Sequence, residues 1–363
     1  MNNLGYPRVE INLEKLKHNV MKVNEKCVDN GITMTGVIKG ANGLPLIAKQ
    51  YIEGGVKIIG TSRLDQVFNC KKFGIETTYM LIRIPMISEV KDVVELTDIS
   101  LNSEVEIIKA LNMEARRQDK KHKVILMTDL GDLREGYWDK EELIKTAEWI
   151  ENDLHNIRLV GVGTNVGCYG SILPTNNKLN ELVELAEAIE EKIGRELEFV
   201  SGGATSSLMR LWDGDMPKRI NHLRLGEGVL LARDLDVVYN YDMSNLNNDV
   251  FKIKAEVIEV KRKPSHPVGE VGVDCFGHRP EYIDRGMRDR MLLGIGRVDY
   301  GDPDELIPKD KGIEILGASS DHTIVDIEDA ERKYKIGDIL EFEVCYATLV
   351  YITSSNNVKI IYV

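Results

Sequence analysis

Cysteine is scarce and scattered. The chain has five, Cys27, Cys70, Cys168, Cys275 and Cys345. An odd number with no CxxC pair argues against a disulfide framework or a zinc cage and points to a reducing cytoplasm. Basic charge is also short: 47 Lys and Arg stand against 59 Asp and Glu, a formal net charge of −12. Such a chain lacks the basic face that nucleic acid requires, and its acidity mainly serves solubility. No run approaches the roughly 18 apolar residues of a membrane helix, and the start, Met1-Asn2-Asn3-Leu4-Gly5-Tyr6, lacks the charged and apolar regions of a signal peptide. No low-complexity tract and no long repeat interrupt the pattern. No His/Asp/Cys cluster has metal-ligand spacing, so no metal is expected.

What is present is a strand–helix alternation. Its 363 residues suit one large α/β barrel followed by a smaller module. After a short alternating strand at Arg8–Leu13, apolar runs end at Lys39, Thr61-Ser62, Arg83, Asn102, Asp129 with Arg134, Asn165, Ser201-Gly202-Gly203 and Arg224-Leu225-Gly226. About eight such units precede position 235, the number that closes a parallel (β/α)8 barrel. The rival, an open doubly wound sheet, commonly carries a glycine-rich phosphate loop after its first strand, and none is here. In a barrel the C-terminal strand ends share one face, and two arginines and a lysine among them favour an anionic ligand. Beyond about Asn240 period-two runs take over, as in Phe251–Val260 and Leu340–Val344. The expected division is a barrel over 1–238 and an all-β domain over 239–363, with a linker at Tyr239–Asn248.

Two features of the barrel carry chemistry. In Thr35-Gly36-Val37-Ile38-Lys39-Gly40-Ala41-Asn42-Gly43 an apolar strand ends in a lysine and then small residues. An amine half desolvated at a pocket rim has a lowered pKa and is available for imine chemistry with a carbonyl cofactor. The plainer reading is a lysine snorkelling at a strand end. Ser201-Gly202-Gly203-Ala204-Thr205-Ser206-Ser207 and Arg224-Leu225-Gly226-Glu227-Gly228 follow the last two strands, where barrels recurrently bind phosphate. For these loops the plainer reading is an ordinary helix cap. One cofactor combines an aldehyde with a phosphate: pyridoxal 5′-phosphate.

Val37-Ile38-Lys39-Gly40-Ala41-Asn42, Thr128–Gly136, Arg224-Leu225-Gly226 and Ile315–His322, in this order, resemble the alanine racemase-type barrel enzymes, most closely the alanine/ornithine racemase branch. The resemblance implies an amino-acid racemase that exchanges the α-proton of ornithine through an external aldimine. Lys39 would hold the cofactor and serve one face of the substrate. Arg224 would hydrogen-bond the pyridine nitrogen, keeping it unprotonated because a guanidinium accepts nothing. Gly203, Thr205, Ser206, Gly226 and Glu227 would bind the phosphate, and Arg134 would lie beside the cofactor's phenolic oxygen and the substrate carboxylate. A homodimer with shared sites is implied, the β domain of one subunit completing the site of the other.

Three departures from the family pattern stand out. Met127 replaces a lysine, so Arg134 must be oriented otherwise, with Asp132 or Asp129 as candidates. Asn165 stands where a histidine would stack on the cofactor. Gly296-Arg297-Val298-Asp299-Tyr300 replaces the motif carrying the second acid/base, leaving Arg297, Tyr300, Cys275 and His278 as candidates. Asp132, Asp274 and Asp299 would favour a basic substrate over alanine. The alternatives are an alanine or broad-specificity basic amino-acid racemase, an aldolase or decarboxylase on the same barrel, and a non-enzymatic carrier of the cofactor.

Overall fold

A computed structural model describes residues 5–274, 276–279 and 281–363. It divides into two compact units, Glu14–Asn247 and a discontinuous one made of Met1–Leu13 with Asn248–Val363. The boundaries therefore fall at 13/14 and 247/248, not at 238/239. The reason is the strand β1 (Arg8–Ile11), which pairs antiparallel with β10 (Phe251–Pro264) and parallel with β16 (Lys359–Tyr362).

The first unit is a closed parallel barrel of β2 (Thr33–Val37), β3 (Ile58–Thr61), β4 (Thr78–Leu81), β5 (Ile99–Asn102), β6 (His122–Thr128), β7 (Ile157–Thr164), β8 (Phe199–Ser201) and β9 (His222–Leu225). β9 closes it by pairing with β2, Thr35 opposite Arg224. β3 and β5 are buried at every position, as expected where side chains fill the barrel on one face and meet helices on the other. Ile58, Met80, Ile99, Leu101, Ile125, Met127 and Val160 form one apolar cluster.

The helices follow from local sequence. Asp139 caps the helix Lys140–Asp153 by accepting from the backbone N–H of Glu141 and Glu142. Thr175 caps Asn176–Ile193, and Gly194 ends it in the left-handed region at φ 73°. That helix buries Leu179, Leu182, Leu185, Ala186 and Ile189, spaced at three and four residues along one face.

The second unit is a sheet ordered β12 (Ile307–Pro308), β15 (Ile339–Glu343), β10, β11 (Met287–Leu293), β14 (Thr323–Asp326) and β13 (Glu314–Ala318), with β1 and β16 attached through β10. Its pairings are antiparallel except β1 with β16. No helix among the described residues is long and apolar enough to cross a membrane.

Candidate active site

The C-terminal ends of the barrel strands assemble the site. Lys39 opens a single helical turn directly after β2 and is half-buried. Burial holds its amine below the ordinary lysine range, helped by the Arg134 and Arg224 guanidiniums and opposed by Cys168 and Glu135. The structure therefore brings Lys39, Arg134 and Arg224 into one electrostatic neighbourhood, together with two residues that sequence reasoning did not single out.

Arg224 points inward from β9. It donates from Nη2 to the Thr164 carbonyl at 2.8 Å and from Nη1 to Ser201 Oγ. Burial pushes its pKa down to about 10. Behind it, Ser201 Oγ lies 2.8 Å from His222 Nδ1, and His222 Nε2 lies 2.7 Å from Thr35 Oγ1. Burial first, then Arg224, holds His222 down to about 3, so the ring is neutral. With Arg224 donating to Ser201, the serine proton runs to Nδ1 and the Nε2 proton to Thr35, which satisfies every group in the chain.

Arg134 sits on the loop between β6 and the helix Lys140–Asp153. Three residues there take positive φ: Gly131 at 112°, Leu133 at 57° and Gly136 at 126°. A Cβ on Gly136 would fall 2.5 Å from the Asp129 nitrogen, so only glycine fits. Asp129 Oδ1 accepts from Gly131 N and Leu133 N, and Tyr137 pairs with the end of β6. Lys140 Nζ donates to Thr128 Oγ1 and the Asp129 carbonyl, fixing the same strand end. Asp132 accepts from the backbone of Cys168 (3.1 Å) and Tyr169 (3.0 Å), tying this loop to the one after β7.

Neither aspartate orients Arg134 through a hydrogen bond: Asp129 Oδ1 and both oxygens of Asp132 accept from backbone N–H groups. Glu135 does: Arg134 donates to it from Nε and from Nη2, the latter at 2.6 Å. That pairing holds the Arg134 pKa above its usual range. Arg134 Nη1 also reaches Cys168 Sγ at 2.8 Å. Asn165 lies between the two arginines. With its amide oxygen turned to Arg134 it accepts from Nη1 at 3.2 Å and Nη2 at 2.5 Å; turned the other way, the oxygen is 3.5 Å from Arg224 Nη2. Met127 lies in the barrel's apolar cluster.

The loops after β8 and β9 meet at Thr205, whose Oγ1 accepts from Gly228 N at 3.1 Å. Gly203 adopts φ 113°, and a Cβ there would strike Ser207 Oγ at 2.6 Å; one on Gly228 would strike Leu208 and Thr205 at 2.9 Å. Such a side-chain-free cradle suits a phosphate. Ser206 donates its hydroxyl to the Val166 carbonyl, so any contact it makes with an anion uses its backbone. The Glu227 side chain turns inward: Oε1 accepts from Arg233 N and Asp234 N, Oε2 is buried without a partner, and burial pushes its pKa up to about 7. A lysine amine whose ammonium form is disfavoured by burial and a small-residue cradle fit an aldehyde-bearing phosphate ester.

The β-sheet unit holds the other candidates. Asp274 Oδ1 accepts from Phe276 N and His278 N, with the His278 ring 3.5 Å from its other oxygen. Arg297 lies over the Phe276 ring at 4.4 Å. Tyr300 is fully buried, its hydroxyl 2.8 Å from Thr323 Oγ1, and burial raises its pKa to about 12. Asp299 is held by Gly296 N, Ser355 and Asn357. Cys275 lies outside the described residues. Asp132, Asp274 and Asp299 thus all serve their own backbone or neighbours, and none of them is an uncommitted carboxylate for a cationic substrate.

A family model described as "Alanine racemase, N-terminal domain" matches residues 11–234. The chain is 42% identical over 344 residues to an ornithine racemase of Acetoanaerobium sticklandii, covering 95% of this chain and 96% of that one. It is 40% identical over 357 residues to a lysine racemase of Thermotoga maritima, covering 98% of each. The crystal structure of an alanine racemase from D-cycloserine-producing Streptomyces lavendulae shares the fold, with a TM-score of 0.75 at 16% identity over 99% of this chain and 98% of that one.

Proposed function

Since the chain belongs to the alanine racemase family and is a pyridoxal 5′-phosphate-dependent amino-acid racemase, we propose that its substrate is ornithine. The observation that carries this reading is the 42% identity to an ornithine racemase along nearly the whole chain. The lysine racemase at 40% makes lysine the principal competitor and favours a basic amino acid over alanine.

Lys39 would hold the cofactor's aldehyde end and, once freed, move the α-proton on one face of the substrate. Gly203, Thr205, Ser206, Gly226 and Glu227 would hold the phosphate through backbone groups and the Thr205 hydroxyl. Arg224 would face the ring nitrogen, Asn165 the ring, and Arg134 the substrate carboxylate. When bound, the cofactor supplies an electron sink for the negative charge that develops at the α-carbon. Arg224 tempers that sink, since it can donate to the ring nitrogen but cannot be asked to give up a proton there at neutral pH.

The second acid/base is assigned to the β-sheet unit of a second copy, making the enzyme a homodimer with shared sites. The cytoplasm is its proposed compartment, in keeping with Cys27, Cys70, Cys168 and Cys345 being free thiols. Sedimentation measures the assembly, and mixing Lys39→Ala with Arg297→Ala protein tests the sharing. Recovery of activity in the mixture supports shared sites, and none refutes them.

Incubating L-ornithine, L-lysine and L-alanine separately with the loaded enzyme in deuterated water tests reaction and substrate together. Exchange with inversion, fastest for ornithine, is expected. Exchange without change of handedness overturns the racemase assignment, and faster turnover of lysine overturns ornithine. Lys39→Ala should abolish both the reaction and the visible absorbance of the attached cofactor.

A further inference from the structure

An arginine that recognises a carboxylate must be held in one plane, because its two-pronged geometry is what distinguishes it from a point charge. Arg134 is held from the side. Its Nε and Nη2 are taken by Glu135, and one Nη1 proton goes to Cys168 Sγ at 2.8 Å. The outer fork, between Nη1 and Nη2, faces Asn165, whose single oxygen can accept from both nitrogens. A carboxylate brings two oxygens to the same fork, so exchanging Asn165 for substrate gains an acceptor.

Charge points to the same residue. Two guanidiniums near Lys39 disfavour its ammonium, and of the two acidic groups that oppose them, Glu135 is the carboxylate in direct contact with Arg134. Its oxygens are not spent on backbone amides, unlike Asp129 Oδ1 and both oxygens of Asp132.

We propose that Glu135 is the positioning residue of this site: it fixes Arg134 with its outer fork toward Asn165 and balances the arginine's charge beside Lys39. The proposal rests on the reading of Lys39 and Arg134 as site residues given above.

Two full-length variants separate geometry from charge. Glu135→Gln keeps the length and loses the charge; Glu135→Asp keeps the charge and shortens the reach. With the loaded enzymes, KM for L-ornithine should rise about tenfold or more in both. In full-length protein freed of cofactor, the pH at which Lys39 is half-acetylated by a limiting reagent should move down by about one unit in Glu135→Gln. It should stay at the wild-type value in Glu135→Asp. A lowered melting temperature with KM and the Lys39 midpoint both unchanged would reduce Glu135 to a structural ion pair and overturn the proposal. Should the wild type racemise no amino acid, the function proposed above fails. The Lys39 midpoint would still decide whether Glu135 balances Arg134. If Glu135→Gln does not fold, an unchanged KM in Glu135→Asp is enough to reject the clamp.

Discussion

The Ser201 hydroxyl lies 2.8 Å from His222 Nδ1 while accepting a hydrogen bond from Arg224 Nη1. A serine so placed couples a buried cation to a buried neutral ring. The imidazole is therefore part of the arginine's support, and its protonation should cost stability.

His222 has its pKa lowered from 6.5 to about 3 in the folded chain. The unfolded chain binds the extra proton first, so stability is lost as pH falls below about 6.5 toward 3 and is fully present above 6.5. At pH 5 the loss from this residue is about 2 kcal/mol. His122, lowered to about 4, adds a similar slope. Urea unfolding of wild type and His222→Gln at pH 7 and pH 5 should show about half the acid loss in the variant. Equal slopes would mean that His222 titrates normally.

Arg224 is buried and, among the described residues, its side chain hydrogen-bonds Ser201, Thr164 and Asn165 and no carboxylate. Its lowered pKa means that the folded chain disfavours its charge, a cost of about 3 kcal/mol. Removing the charge should relieve that cost and leave Ser201 and the Thr164 carbonyl short of a donor, a loss of about 1–3 kcal/mol. Arg224→Met is thus expected to keep the cofactor-free melting temperature within a few degrees of wild type while lowering racemisation at least a hundredfold. A large fall in melting temperature would show that the arginine stabilises the fold.

Gly203 and Gly74 both have positive φ, 113° and 86°, but a Cβ on Gly74 meets nothing within 4 Å. Alanine at either position costs about 1 kcal/mol of backbone strain. Only Gly203→Ala also pushes Ser207 away and disturbs the loop after β8. Equilibrium dialysis should show cofactor affinity at least tenfold weaker in Gly203→Ala and unchanged in Gly74→Ala. Equal affinities would remove this loop from the phosphate site.

Tyr300 offers a sharp test of the second acid/base. Its hydroxyl is enclosed and bonded to Thr323, so Tyr300→Phe should cost about 1 kcal/mol of stability and change kcat less than threefold. A fall in kcat of a hundredfold or more would make it the proton carrier.

Much of the barrel was legible because burial writes itself into sequence: eight apolar runs, each ending in polar or small residues, place Lys39, Arg134 and Arg224 at one end. The partners were not legible. Asp132 and Glu135 differ little as letters in a turn, yet one accepts two backbone N–H groups from the next loop and the other clamps Arg134. That choice depends on loop geometry set by Gly131, Leu133 and Gly136. Nothing in His222-Leu223-Arg224-Leu225 as a run of letters says that the His222 ring is hydrogen-bonded between Ser201 and Thr35. Tyr300 failed as a readable signal for the reverse reason: a tyrosine near a family motif looks reactive until its burial is known. Strand β1 alternates as any half-buried strand does, and alternation does not name the sheet that receives it.

The seat of β1 between β10 and β16 sets an order on biosynthesis. A ribosome finishes β1 before any barrel strand and β16 long after the barrel's closing strand has emerged. At ordinary elongation rates the interval between the completed barrel and β16 is on the order of ten seconds. Early in it β10 is made and can cover one edge of β1, but the edge that β16 will take stays open until the end, so Val9 and Ile11, which finish fully buried, are only half enclosed until the last strand arrives.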